Sequence, residues 1–263
     1  MAPTTPPAPS PTAPSPTVEA ERATAAAAPR AQDARLRLLL AAERLYAEHG
    51  LEAVSLRHIC RAAGNGNNNA VQYHFGGERG LLEAIIAYRV PPLDRRRAEL
   101  LAAARAHGQD HTVRGLFEVL MRPLAEEARR PDSFYVRFLG RFGAHPLEDH
   151  PWWAGGRPAG KVGHEVTVAI LDLLVEVPRQ LRTLRLAHLI RLCLSALAGY
   201  GQLPAGRSDG PDPAIRENAT RESATREKAP YEVPYELYVT DLFDVAAAAL
   251  TAPPSAHDRH GLT

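Results

Sequence analysis

The sequence predicts an all-α protein, and three observations predict it. From Asp33 onward, apolar residues recur at three- and four-residue spacing in nearly every segment. No segment sustains the period of two that a half-buried strand would need. Glycine, proline and hydroxyl residues fall where helices of that spacing have to start or stop.

Residues 1–30 contain eight Pro, nine Ala, five Thr and two Ser, too little apolar surface to offset ordering, so a disordered tail is expected. Leu36, Leu39, Leu40, Leu45 and Tyr46 then mark a first helix, stopped by Gly50. Ser55 stands as a hydroxyl cap before Leu56, Ile59 and Ala63, and Gly64 ends that second helix. Gly64-Asn65-Gly66 reads as a turn. Asn67 is expected to cap a third helix running to Phe75, broken by Gly76-Gly77. A fourth helix starts near Glu78, with Leu81, Leu82, Ile85 and Ile86 on one face, and Pro91-Pro92 should stop or kink it.

The remainder continues in the same manner. Val113, Leu116, Phe117, Leu120, Met121 and Leu124 make one apolar stripe, and Val162, Val166, Ile170, Leu173, Leu174 and Val177 another, up to Pro178. Residues 181–201 are apolar over most of the circumference, as for a helix buried on two sides. Leu237, Leu242, Val245 and Ala249 mark a last helix. Between these two lies a polar stretch at 203–230, with Arg-Glu pairs five residues apart, which reads as a mobile loop. Residues 253–263 read as a second disordered tail.

Composition narrows the function. With 31 Lys+Arg against 30 Asp+Glu the net charge is +1, so no global field draws the chain to nucleic acid. Two cysteines, Cys60 and Cys193, exclude a disulfide scaffold by count and fit a reducing, cytoplasmic location. No uncharged apolar run approaches the ~20 residues of a membrane span, so no membrane partner is expected. The N-terminus lacks the basic start and apolar stretch of a signal peptide.

The segment that carries chemistry is the pair of short helices between residues 55 and 75. A helix-turn-helix sets its second helix in the DNA major groove, where side chains near its start must bond base edges. Here that helix offers Asn67, Asn68, Asn69 and Gln72, amides that donate and accept at once and suit adenine or a phosphate oxygen. Tyr73 and His74 add donors at its far end. At ~100° per residue Asn68 and Gln72 share a face, so they are expected to read bases, with Arg57 reaching a base or a phosphate. Ser55 and Arg79, each at a helix start, are expected to meet phosphate. The competing reading makes the amides an Asn-rich turn before an ordinary helix.

These residues resemble a known family. Leu39-Leu40-Ala41-Ala42-Glu43-Arg44-Leu45-Tyr46-Ala47-Glu48-His49-Gly50 is similar to the first helix of the tetracycline-repressor (TetR/AcrR) family. Ser55-Leu56-Arg57-His58-Ile59-Cys60-Arg61-Ala62-Ala63-Gly64 resembles its second helix, Ala70-Val71-Gln72-Tyr73-His74-Phe75 its third and Leu81-Leu82-Glu83-Ala84-Ile85 its fourth. The likeness covers about residues 33–92. Two features depart from the pattern: the turn at Gly64-Asn65-Gly66 is one residue longer, and Gly76-Gly77-Glu78-Arg79 stands where the family commonly has a lysine. Arg79 would then take the phosphate role. Residues 31–90 hold seven Arg against six acidic residues, so non-specific affinity for DNA should be modest.

Other signals carry less. Gly155 to Lys161 has the spacing of a phosphate loop, but Trp152-Trp153 precede it where a strand is needed and Val162 follows in place of the Ser or Thr. His145, Glu148, Asp149 and His150 sit in a Pro-flanked run without helical metal-ligand spacing, so no metal and no cofactor is expected. Arg95-Arg96-Arg97 reads as an exposed charged face. Phe117, Met121, Phe134, Phe138 and Trp152 are candidates to line an effector pocket, with Tyr135 and Phe142 beside them. No Gly-x-Ser-x-Gly elbow or paired-carboxylate arrangement supports an enzyme.

The expected organisation is a tail at 1–30, a helix-turn-helix DNA-binding domain at 31–92 and a helical effector-binding and dimerisation domain at 93–252. The expected function is a transcriptional regulator, a repressor released from a palindromic double-stranded DNA operator by a small apolar effector. The resemblance implies a homodimer formed by the helix at 181–201 and the last helix, with Arg191 and Leu194 at the interface. The alternative is a helical small-molecule or lipid-binding protein, or an enzyme, whose three-helix head does not read DNA.

Overall fold

A computed structural model describes residues 16–142, 160–200 and 233–254, which form helices and connecting turns without strands. The chain order is α1 (Pro16–His49), α2 (Leu56–Ala62), α3 (Ala70–Phe75), α4 (Glu78–Ala106), α5 (Val113–Ala128), α6 (Tyr135–Phe142), α7 (Lys161–Leu173), α8 (Arg179–Gly199) and α9 (Tyr235–Thr251). The all-α expectation is met. The stretch at 203–230 and, of the tail expected at 253–263, residues 255–263 lie outside the described residues.

The first difference is at the N-terminus. α1 begins at Pro16, inside the segment expected to be a tail up to residue 30. Seven of the eight prolines stand at or before Pro16, whereas residues 17–28 are rich in Ala, Glu and Arg, strong helix formers. Averaging composition over 30 residues hid that boundary.

The second difference is at Pro91-Pro92, which α4 passes through to end at Ala106. A proline lacks the N–H that would bond the carbonyl four residues earlier. Both prolines and the residues four earlier, Ala87 and Tyr88, are exposed, so water can satisfy the freed carbonyls. Arg95-Arg96-Arg97 is consequently still helical, and it is not a uniformly exposed face. Arg97 is buried at 1% exposure, with its Nε donating to the Leu120 carbonyl at 3.1 Å.

Two parts result. α1, α2, α3 and the start of α4 make a small head around Leu45, Tyr46, Ile59, Val71, Leu81 and Ile85. In the larger part α5 packs against α4, α6, α7, α8 and α9. Its core holds Phe117 against Phe243, with ring centroids 5.9 Å apart, and Tyr235, whose hydroxyl donates to the Ala125 carbonyl at 2.7 Å. α1 also packs along α6, where the Tyr46 and Phe138 rings lie 6.3 Å apart.

Candidate nucleic-acid interface

The head presents α2, a turn and α3 to solvent. Ser55 caps α2 by accepting a hydrogen bond from the His58 N–H at 3.2 Å, so its hydroxyl is committed to the helix it opens. Ile59 and Cys60 are buried against α1, which leaves Arg57 and Arg61 on the open side. Arg61 was not singled out from sequence, although its place one helical turn after Arg57 puts both on one face.

The turn is where the expectation needs correcting. α3 starts at Ala70, so Asn67, Asn68 and Asn69 precede the helix and Asn67 is not its cap. The Asn65 Oδ1 accepts from the Asn67 N–H at 3.0 Å, and the Asn67 Oδ1 accepts from the Asn69 N–H at 2.9 Å. These are consecutive Asx turns, which offer the backbone an alternative to helix. The Cys60 thiol also donates to the Asn68 carbonyl at 3.5 Å. The shared helical face of Asn68 and Gln72 therefore does not exist. Asn65 and Asn67 build the turn, while Asn68 and Asn69 stand exposed on it.

α3 itself presents Gln72 and Tyr73, the latter 82% exposed, with Ala70 and Val71 buried behind them. His74 is half-buried with its ring edge-on to Tyr73, centroids 4.9 Å apart. The Gln72 side-chain oxygen lies over Gly77, 3.5 Å from where a Cβ there would stand. Gly77 itself adopts φ 123°, open to glycine alone among common residues. Gly80 permits the close approach of α4 to the end of α3, since any Cβ at 80 would strike the Phe75 carbonyl. These two positions set the angle between the exposed helix and α4.

Arg79 stands in the first turn of α4, strongly exposed, and pairs with Glu83 at 3.1 Å. Its neighbour Glu78 accepts from the Tyr46 hydroxyl at 3.0 Å, tying the start of α4 to α1. Arg35, which the sequence reading passed over, lies with its guanidinium 4.9 Å from the Phe75 ring centroid. Only the fold brings residue 35 to the end of α3. Residues 53–77 contain Arg57, Arg61, His58 and His74 and no acidic residue. The near-neutral balance of the whole head therefore conceals a segment without acidic residues.

The effector-pocket candidates separate. Phe117, Met121 and Phe138 are fully buried among other core side chains, whereas Trp152 lies outside the described residues. Phe134 lines a shallow pocket of about 340 Å³ with Leu40, Ala41, Glu43, Ala62 and Ala63, between the head and the start of α6. The residues His145 to His150 lie outside the described residues. Among the described residues no group of three or more His, Cys, Asp or Glu could hold a metal ion. No helix among them is long and apolar enough to cross a membrane.

Comparison with known proteins agrees with the head. Residues 38–85 match the family model of bacterial regulatory proteins, tetR family, so the resemblance read on residues 33–92 is borne out across that span. No curated protein matches the chain. Among solved structures, the chain is similar at 16% identity and a TM-score of 0.45 to a TetR family transcription regulator from Marinobacter aquaeolei VT8, over 84% of this chain and 96% of that one.

Proposed function

We propose that the chain is a sequence-specific DNA-binding transcriptional regulator. The observation that carries this is the acid-free α2–turn–α3 segment, which exposes Arg57, Gln72 and Tyr73 together inside the span matching the tetR family. Gln72 is the base-reading side chain, because it is an exposed amide on the open face of α3. Tyr73, His74, Arg57 and Arg79 hold the backbone. Ser55 acts by capping α2, and the N-terminus of that helix faces phosphate.

The finer reading is a homodimeric repressor on a palindromic operator, acting in the cytoplasm and released by a small apolar effector. Continuity of α4 from the head into the larger part supports the coupling this needs, since an unbroken helix carries a displacement along its length. The effector must prefer one arrangement of the two parts for that displacement to matter. Selection of bound fragments from random duplex DNA tests the proposal. It should enrich a palindrome whose half-sites lie about one or a few helical turns apart. Recovery of no preferred sequence at low salt would overturn it.

A further inference from the structure

The seam between head and larger part contains a buried ionic cluster. Arg89 of α4 bonds Glu43 of α1 through two nitrogens, Nε to Oε2 and Nη2 to Oε1, both at 2.7 Å. Its remaining Nη1 donates to Glu127 Oε1, at the end of α5, at 3.0 Å. The side chains of Glu43, Glu127 and Arg89 are only 2%, 8% and 15% exposed. Glu127 also accepts from the Ser133 hydroxyl at 2.6 Å and from Arg130 Nη1 at 3.3 Å. Glu43 accepts a third bond, from the Phe134 backbone N–H, at 3.2 Å.

The cluster is unequal in a way that suggests its use. The bidentate Glu43–Arg89 pair lies within the head and is the strong part. Two single bonds cross to the larger part, Arg89 to Glu127 and the Phe134 N–H to Glu43. Separating the parts at those two bonds leaves Arg89 with Glu43, and Glu127 with Ser133 and Arg130. No ion is stranded, so the desolvation penalty that makes most buried pairs hard to break is largely avoided. The shallow pocket is lined by Glu43 and Phe134, the two partners of one crossing bond. We infer that Arg89 is a shared latch: its Glu127 bond and the Phe134–Glu43 bond hold α1 against α5 and α6, and their release frees the head to move relative to the larger part. Through α1, on which α2 packs, the latch state reaches α2 and α3.

The regulatory meaning rests on the proposed regulator role, but the latch can be read without DNA or effector, by hydrogen exchange of the full chain. Glu127→Gln keeps the side-chain shape, removes the charge that holds Arg89 Nη1, and loosens the Ser133–Phe134 turn behind the second crossing bond. Exchange at residues 56–75 should accelerate at least about fivefold, with residues 235–251 unchanged. Glu126→Gln is the control: Glu126 also joins α5 to α4, through Arg96 at 2.9 Å, but outside the seam, and should leave residues 56–75 as they were. Acceleration confined to residues 113–142, acceleration spread evenly over the chain, or the same response from Glu126→Gln would each overturn the latch. Should Glu127→Gln fail to fold, Glu127→Asp, which keeps the charge but draws it back from Arg89 Nη1, is read by the same criteria. A chain that selects no DNA sequence yet shows the selective acceleration would keep the latch and remove the regulator.

Discussion

Gln72 and Asn67 are both amides within six residues of each other, and the fold assigns them different work. The Asn67 oxygen holds the turn, whereas Gln72 stands exposed on α3. Gln72→Ala should therefore cost ~1–3 kcal/mol on a selected operator and relax choice at one base pair per half-site. Asn67→Ala should lower the melting temperature while leaving sequence preference unchanged, because a lost Asx turn destabilises α3 without touching a base. Binding profiles and thermal melts on both proteins separate the two roles. An unaltered profile for Gln72→Ala would return the amides to a purely structural reading.

At the level of elements, long-range capping replaces local capping where the local residue cannot serve. The residue before α7 is Gly160, which has no side chain to cap with. Asp94 of α4 does it, its two oxygens accepting from the Val162 and Gly163 N–H groups at 3.0 and 2.8 Å. The same carboxylate lies 3.8 Å from the buried Arg97, whose pKa burial pushes below the ordinary arginine value despite the Asp94 charge. Asp94→Ala should cost about 3 kcal/mol or more, since it removes a cap and the carboxylate beside a buried guanidinium. Ser55→Ala, a cap loss alone, should cost about 1 kcal/mol. Urea unfolding of the two variants tests the ratio, and equal losses would refute the double role.

α5 carries a ladder of Arg114, Glu118 and Arg122 at four-residue spacing, extended across to Asp244 and Glu236 of α9. Burial alone would raise the Glu118 pKa, but bonds from Arg122 and Arg114 and their charges outweigh it and hold the carboxyl below its usual range. A depressed folded-state pKa contributes stability above the unfolded value, about 4.3, that is lost as pH falls through the folded one. Glu118→Gln should thus be less stable than the parent at pH 7, by about 1 kcal/mol or less after solvent screening. That difference should shrink below about pH 4.3 and vanish in stronger acid. Melts over that range check the sign, and a gap independent of pH would contradict it.

At the scale of the whole molecule, α8 and α9 each keep large apolar side chains exposed among the described residues. Leu184 and Leu192 on α8, and Leu237 and Val245 on α9, are exposed at eight-residue separations, which places each pair on one helical face. Two such faces suit the four-helix interface of the proposed homodimer. Leu192→Glu or Leu237→Glu should give a folded monomer by sedimentation, with helix content retained. Leu194, expected at the interface from its sequence, is only 4% exposed within its own chain, so Leu194→Glu should unfold the protomer instead. A Leu237→Glu protein still dimeric at micromolar concentration would rule this interface out.

Much of the head was readable because its signals act over a few residues. Gly50 after α1, the Ser55 cap and the Gly76-Gly77 break each work through backbone groups within a turn of themselves, so no distant partner could overrule them. The asparagines were misread for a related reason: amides favour both caps and Asx turns, and only the positions of neighbouring N–H groups choose between them. Whether Pro91-Pro92 ended α4 depended on which side of the helix met water. That side is set by α5 and α7 packing on the other, not by the prolines. Nothing within a few residues of Arg89, Glu43 or Glu127 distinguishes them from the other charges of the chain. They became a buried cluster because α1, α4 and α5 converge there, bringing residues 43, 89 and 127 within bonding distance. Local chemistry sets where a helix begins and ends, whereas burial is a property of what the rest of the chain brings to its surface. Sequence alone therefore determined the all-α class and the helix-turn-helix head, and tertiary packing decided which amide stands exposed, which leucine is buried and which charges meet between the two parts.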